Sequence, residues 1–299
     1  MSKSMWRATT LLGGALLLVA PGGGSSPPVV GEFGSYWYQG KAEISRYELS
    51  QSRYGEIHPG QAVLVFVTED FLPEKQVKAD STDRASTGAI PVLKLNHTRS
   101  FLTGIYPYSV MTSVFTPIES ARQPRSLKTT TSMQEWCGHV FTQANLRGTR
   151  YRFQTYSYFE REGDQTFDLE AVWLEDEMWT RVRIDPRSLP TGEIRIIPSG
   201  IAQRFSHRPF AVERATATLE DAGEGQRVYR VVYRDTGREL AIRFGSTFPH
   251  RIEGWEEIAS SSEKSAGLVT RARRTHTLLD DYWSHNSTGD VERRRKLGL

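Results

Sequence analysis

The chain has 299 residues, 38% hydrophobic and 24% charged, a composition that suits a folded globular protein and excludes disorder throughout or a collagen-like repeat. Its one cysteine excludes an intrachain disulfide and a four-cysteine zinc cage. A net charge of +3, from 38 Lys and Arg against 35 Asp and Glu, leaves no basic surplus that would point to a nucleic-acid partner.

Residues 1–20 read as a secretory signal. Lys3 and Arg7 precede the apolar run Leu11 to Ala20, which is shorter than the ~20 apolar residues a membrane span requires. Residues 21–35 open with Pro21-Gly22-Gly23-Gly24-Ser25-Ser26-Pro27-Pro28, which has almost nothing to bury, and read as a tether. The layout resembles a bacterial lipoprotein signal, with Pro21 standing where the lipid-bearing cysteine would be. The expectation is therefore an exported protein of the periplasm or outer-membrane periphery, close to the envelope membranes, without support for a lipid anchor.

From Tyr36 onwards the apolar residues recur mostly at period two, which predicts one mainly antiparallel β domain over residues 36–285. Ala62 to Val67 is a continuous apolar run suited to a strand buried on both faces, and Pro91 to Asn96 alternates. The polar stretch 119–131 is the place for a sub-boundary. Phe167 to Trp173, the acidic Glu175-Asp176-Glu177 and Met178 to Ile184 predict a hairpin. A second hairpin is predicted where Arg227 to Arg234 and Arg238 to Phe244 flank Asp235-Thr236-Gly237. Ala259 to Gly267 reads as a loop, Leu268 to Thr277 as a strand, and residues 286–299, with Arg293-Arg294-Arg295-Lys296, as a solvated basic tail. Strands following strands without crossover helices predict a curved sheet or incomplete β-barrel with few short helices, because a flat sheet of about ten strands leaves long edges unpaired.

Phe248-Pro249 leading into the alternating Arg251 to Glu256, after the hairpin, resembles the incomplete β-barrels of periplasmic lipoprotein carriers over residues 145–280. That resemblance implies a sheet wrapped round an apolar cavity. Tyr36 to Glu43, Arg53 to Glu56, Thr103 to Ser109 and Gln134 to His139 resemble an uncharacterised family of bacterial envelope lipoproteins, often labelled "septum formation inhibitor Maf". True Maf enzymes open with Ser-x-Ser-Pro-Arg-Arg, a string this chain lacks, so nucleotide hydrolysis is not carried over.

Glu135, Cys137 and His139 are the catalytic candidates. On a strand, period two puts all three on one face, as a thiol nucleophile with its base and orienter would need. Positions two apart on a strand lie roughly 7 Å from each other, however, which favours a shielded structural Cys137 beside a hydrogen-bonded histidine over catalysis. Tyr36, Trp37, Tyr38, Tyr106, Tyr108 and Trp136 are ligand-binding candidates, since rings with polar tips suit sugar faces or the mouth of an apolar pocket. The other histidines, His58, His97, His207, His250, His276 and His285, lack zinc-hydrolase spacing, and neither a nucleophile elbow nor a phosphate loop is present. No metal or cofactor is expected. The residues together predict non-enzymatic binding of an amphiphilic lipid or glycan in an apolar cavity. The alternatives are a Cys137-His139 hydrolase or transferase and a structural envelope component.

Overall fold

The computed structural model describes residues 31–81, 83–260 and 264–299. The expected signal, Pro21 and the tether as far as residue 30 lie outside the described residues.

A helix, α1 (Glu32–Trp37), begins inside the stretch read as tether, because Phe33 and Trp37 have a core to enter. The first half of the chain then forms β1 (Ala42–Arg53), β2 (Glu56–Leu72), the short β3 (Val77–Lys78), a helical turn α2 (Arg84–Thr87), β4 (Ile90–Thr103), β5 (Tyr106–Pro117), β6 (Lys128–Glu135), β7 (Gly138–Arg147), β8 (Arg150–Ser157) and β9 (Gln165–Glu170). The second half gives β10 (Trp173–Leu174), α3 (Met178–Ile184), β11 (Gly192–Ile197), α4 (Gly200–Ser206), β12 (Glu213–Gly223), β13 (Gln226–Tyr233), β14 (Glu239–Gly245), β15 (Ile252–Ile258), β16 (Val269–Asp280) and α5 (Glu292–Arg295).

These strands make one 16-stranded curved sheet in the order β10-β11-β12-β13-β14-β15-β16-β1-β2-β4-β5-β6-β7-β8-β9, with β3 on the side of β2. Every pair is antiparallel except β10 with β11. The two ends of that order, β9 and β10, are joined in the chain by Ala171 and Val172, so the sheet nearly meets itself without closing. Across this seam Arg195 of β11 reaches Glu170 of β9 at 2.7 Å. No described helix is long and apolar enough to cross a membrane.

Local chemistry accounts for the hairpins. Tyr54 and Gly55 both adopt positive φ, 55° and 86°, the two-residue turn whose twist matches its flanking strands. The hairpin foreseen around Asp235-Thr236-Gly237 forms, with Gln226 opposite Gly245 and Val232 opposite Glu239. In the apolar run of β2, Leu64 and Phe66 enter the main core. Val63 and Val65 on the other face pack beneath the C-terminal tail. Both faces are covered, as a continuous run requires.

Three expectations are corrected. Met178 to Ile184 is a helix, because Met178, Trp179 and Val182 bury together at helical spacing and the preceding Glu175–Glu177 forms a 3-10 turn. The sheet runs through the polar stretch 119–131: β6 begins inside it at Lys128 and pairs with β5 from Ser109↔Gln134 to Phe115↔Lys128. The tail is only partly solvated, since Leu297 is buried beside Ala42, Ile44 and Val67 while Arg293 pairs with Asp280.

The concave side is packed. α3 lies within it, Trp179 meeting His97 and Trp255 edge-on at 5.0 and 5.2 Å between ring centroids. Arg183 from the same helix donates to both oxygens of Glu43 at 2.6 and 2.8 Å and lies over Trp37 and Phe66. Burial alone would raise the Glu43 carboxyl, but the Arg183 charge and hydrogen bonds outweigh it and hold the group at about 2. Arg99 with Glu257, Arg181 with Glu177 and Arg238 with Glu175 repeat the pattern at 2.5 to 3.0 Å. The centre of the sheet is thus filled by a helix and its ion pairs, and open space lies elsewhere.

Candidate functional site

In an antiparallel sheet alternate hairpin tips fall at the same end. The β1–β2, β4–β5, β6–β7 and β8–β9 tips share one end, and α4 covers the concave face there. Ser199 starts α4 by accepting the Ala202 N–H at 3.1 Å, and Gly200 lets the helix rest on β6, since a Cβ would overlap the Thr131 side chain. The helix stops at His207, whose φ is +52°.

Between α4 with the following residues 207–210 and the ends of β7, β8 and β9 lies a cleft of about 370 Å³ at the seam. Val140, Phe167, Pro209 and Phe210 make its apolar lining. Phe167 and Phe210 are both braced by Phe153, at 5.2 and 5.0 Å. Arg161, Glu162, Arg204, His207 and Arg208, with Thr142, Thr155, Ser157 and Gln165, make its polar lining.

Glu162 accepts from Ser157 Oγ and His207 Nδ1, each at 2.6 Å. A carboxylate only accepts, so His207 carries its proton on Nδ1, and Nε2 is the acceptor for Arg204 Nη1 at 3.1 Å. Arg204 lies 4.0 Å over the Phe159 ring and is 6% exposed. Burial, first of all, pulls its pKa below the usual arginine value. Next to it, Arg53 donates to the Phe205 carbonyl at 2.7 Å and is sandwiched by Tyr54 and Phe205.

Behind α4, Asp176 faces the Gly200 N–H at 3.3 Å. Burial, then the neighbouring Glu175 charge, pushes its carboxyl up to about 7.

Two other spaces have less to offer chemically. A groove of about 670 Å³ on the outer face is crossed by Arg273–Glu48, Arg271–Glu256 and Arg274–Glu253 ion pairs, so most of its charges are already engaged. Under the tail, Asp280, Asp281 and His285 bring ligand atoms within 4.8 Å of one another, but Arg293 already neutralises Asp280.

The catalytic candidates do not assemble as one strand face. Glu135 ends β6, Trp136 and Cys137 form the tip, and His139 lies in β7 opposite Gln134. The turn sends the buried Glu135 to the core face and the exposed His139 to the other. Cys137 is exposed at the tip, so the shielded-thiol expectation is corrected as well. Its N–H donates to Glu135 Oε2 at 2.6 Å. The Cys137 thiol is held above its usual pKa, first by its hydrogen bond to that carboxylate. A neighbouring anion disfavours the thiolate that nucleophilic attack requires.

The aromatic candidates divide between the two ends of the sheet. Tyr36, Trp37 and Tyr38 belong to α1 and its cap, at the far end. Trp37 is buried, Tyr36 hydrogen-bonds Glu43, and Tyr38 is exposed. Tyr106, Tyr108 and Trp136 lie at the cleft's end, Tyr106 centred 5.9 Å from Tyr108 and 6.3 Å from Trp136. Tyr108 is buried, stacked on Phe101 at 4.9 Å and bonded to the Tyr54 hydroxyl at 2.6 Å, while Trp136 is 69% exposed. None of the six lines the cleft.

Sequence reasoning passed over Arg204, Glu162 and Arg161, and took His207 only as a histidine without metal spacing. Glu162 and His207 are 45 positions apart and meet through loops at the seam. The one local sign is Ser199 ahead of Ile201 and Phe205, a helix start that places Arg204 on a buried face.

In comparisons with protein-family models, with curated proteins and with solved structures, nothing matches this chain.

Proposed function

We propose that this chain is an exported envelope protein that binds an amphiphilic ligand without transforming it, and that the seam cleft is where the ligand sits. One observation carries the reading. A single recess brings apolar Val140, Phe167 and Phe210 together with a buried arginine, Arg204. Its size falls within the ~300–1,000 Å³ of small-molecule sites, and such sites pair apolar walls with a few placed polar groups. The N-terminal residues 1–20, read as a signal, support export. The geometry around Cys137 favours no hydrolase, because its nearest charged partner opposes the thiolate and His139 lies on the opposite face.

The test uses purified, delipidated full chain and the uncharged fluorophore N-phenylnaphthylamine. Saturable binding is expected, with displacement by dodecyl maltoside below its micelle threshold. Thr155→Trp, which fills the cleft from β8, should abolish it while the melting temperature stays unchanged. Absence of saturable binding, or full binding by the folded Thr155→Trp variant, contradicts the reading.

A further inference from the structure

Of the buried arginines among the described residues, Arg53 forms no ion pair and Arg204 only a long one, and of these two Arg204 lines the cleft. Arg99, Arg181, Arg183 and Arg238 each meet a carboxylate oxygen at 2.5 to 3.0 Å. Arg204 is as deeply placed, with its side chain 5% exposed, yet its nearest carboxylate oxygen, Glu162 Oε1, stands 3.7 Å away. That oxygen already accepts from His207. Arg204 Nη1 is committed to His207, while Nε and Nη2 have no hydrogen-bond acceptor among the described residues, and Nε is shut off from solvent. Burying a cation's donors without acceptors is costly; Arg53, the other buried arginine without a carboxylate, donates to the Phe205 carbonyl, whereas Arg204 keeps Nη2 unused beside the cleft.

We infer that the polar end of the ligand is an oxyanion, carboxylate or phosphate, held by Nη2 of Arg204. This inference rests on the cleft being the ligand site. A charged N–H donor such as Nη2 bonds an anionic oxygen about twice as strongly as a neutral one. Arg161 and Arg208 on the same lining add positive charge, although Arg208 also reaches Glu213 at 3.3 Å. A trimethylammonium head would meet these cations unfavourably. A neutral sugar would leave the guanidinium charge unanswered. Glu162 is the single carboxylate of the lining and opposes an incoming anion.

The experiment displaces N-phenylnaphthylamine from the full chain with four dodecyl amphiphiles, each below its micelle threshold: phosphate, carboxylate, maltoside and trimethylammonium. At least one of the two anions should bind about 10- to 100-fold tighter than the maltoside, as charge-assisted hydrogen bonds allow, and the better anion tells phosphate from carboxylate. Arg204→Gln should remove that advantage and leave maltoside affinity in place. Glu162→Gln should strengthen anion binding, because it removes the carboxylate of the lining that opposes an anionic head. It also keeps the test decisive should Arg204→Gln fail to fold. Equal affinity for anion and maltoside, or weaker anion binding by Glu162→Gln, overturns the oxyanion while leaving the cleft as a binding site. Wild-type maltoside binding that survives in Thr155→Trp overturns both.

Discussion

Two deeply placed arginines, Arg183 at the centre of the sheet and Arg204 at its seam, occupy opposite electrostatic situations. Arg183 donates to both oxygens of Glu43 and is sandwiched by rings, so its charge is fully answered. Arg204 has a ring beneath it and a histidine beside it, but no carboxylate in contact. The first arrangement closes the fold around α3, whereas the second leaves donors for a molecule that is not part of the chain. Burial alone therefore does not distinguish a structural ion pair from a site; the state of the partner does.

The largest effect separating the two is expected from Arg183→Met, which strands the Glu43 carboxylate. It should cost about 3–5 kcal/mol in urea unfolding, and the double variant Glu43→Leu/Arg183→Met should regain most of that. A small loss in the single variant would mean that the pair is not the closed unit described.

Asp176 comes next and gives the comparison a pH axis. Its carboxyl moves from an ordinary 3.8 to about 7 on folding, so its contribution is intact below about pH 4 and is lost as pH rises towards 7, by ~4 kcal/mol in all. Glu43 runs the other way, from 4.5 to about 2, and its contribution is lost as pH falls through that window. Asp176→Asn should flatten the decline between pH 4 and 7 in thermal melts followed across pH. An unchanged profile would contradict the placement of Asp176 behind α4.

Arg204→Gln should change stability by less than about 1 kcal/mol, because it leaves no buried carboxylate unpaired. A loss as large as that of Arg183→Met would place Arg204 with the structural arginines. Smallest of all, Cys137→Ser at the exposed tip should stay within ~0.5 kcal/mol and leave amphiphile binding unaltered, as titration of both proteins would read out.

Much of the sheet was legible in the residues. Period two in residues 227–244 and the continuous run of β2 are consequences of strand geometry that need no tertiary information. Met178 to Ile184 misled because seven residues fit both periods, and only the concave surface waiting for Trp179 and Arg183 decides between them. Glu135, Cys137 and His139 misled because a two-residue turn at Trp136 and Cys137 interrupts the strand period there. The cleft was illegible for a different reason. It exists where the sheet fails to close, so Phe167, Glu162, Arg204 and Phe210 come together through topology, with no shared local pattern to announce it.

The most direct measurement is photolabelling of the full chain by dodecyl phosphate carrying a diazirine at the end of its alkyl chain, with the modified residues mapped by mass spectrometry. Labels concentrated on Val140, Phe167 and Phe210, and removed by excess unlabelled dodecyl phosphate, are the predicted result. Competable labels on the outer groove of β13 to β16, or labels that unlabelled ligand does not compete away, would contradict a binding site at the seam.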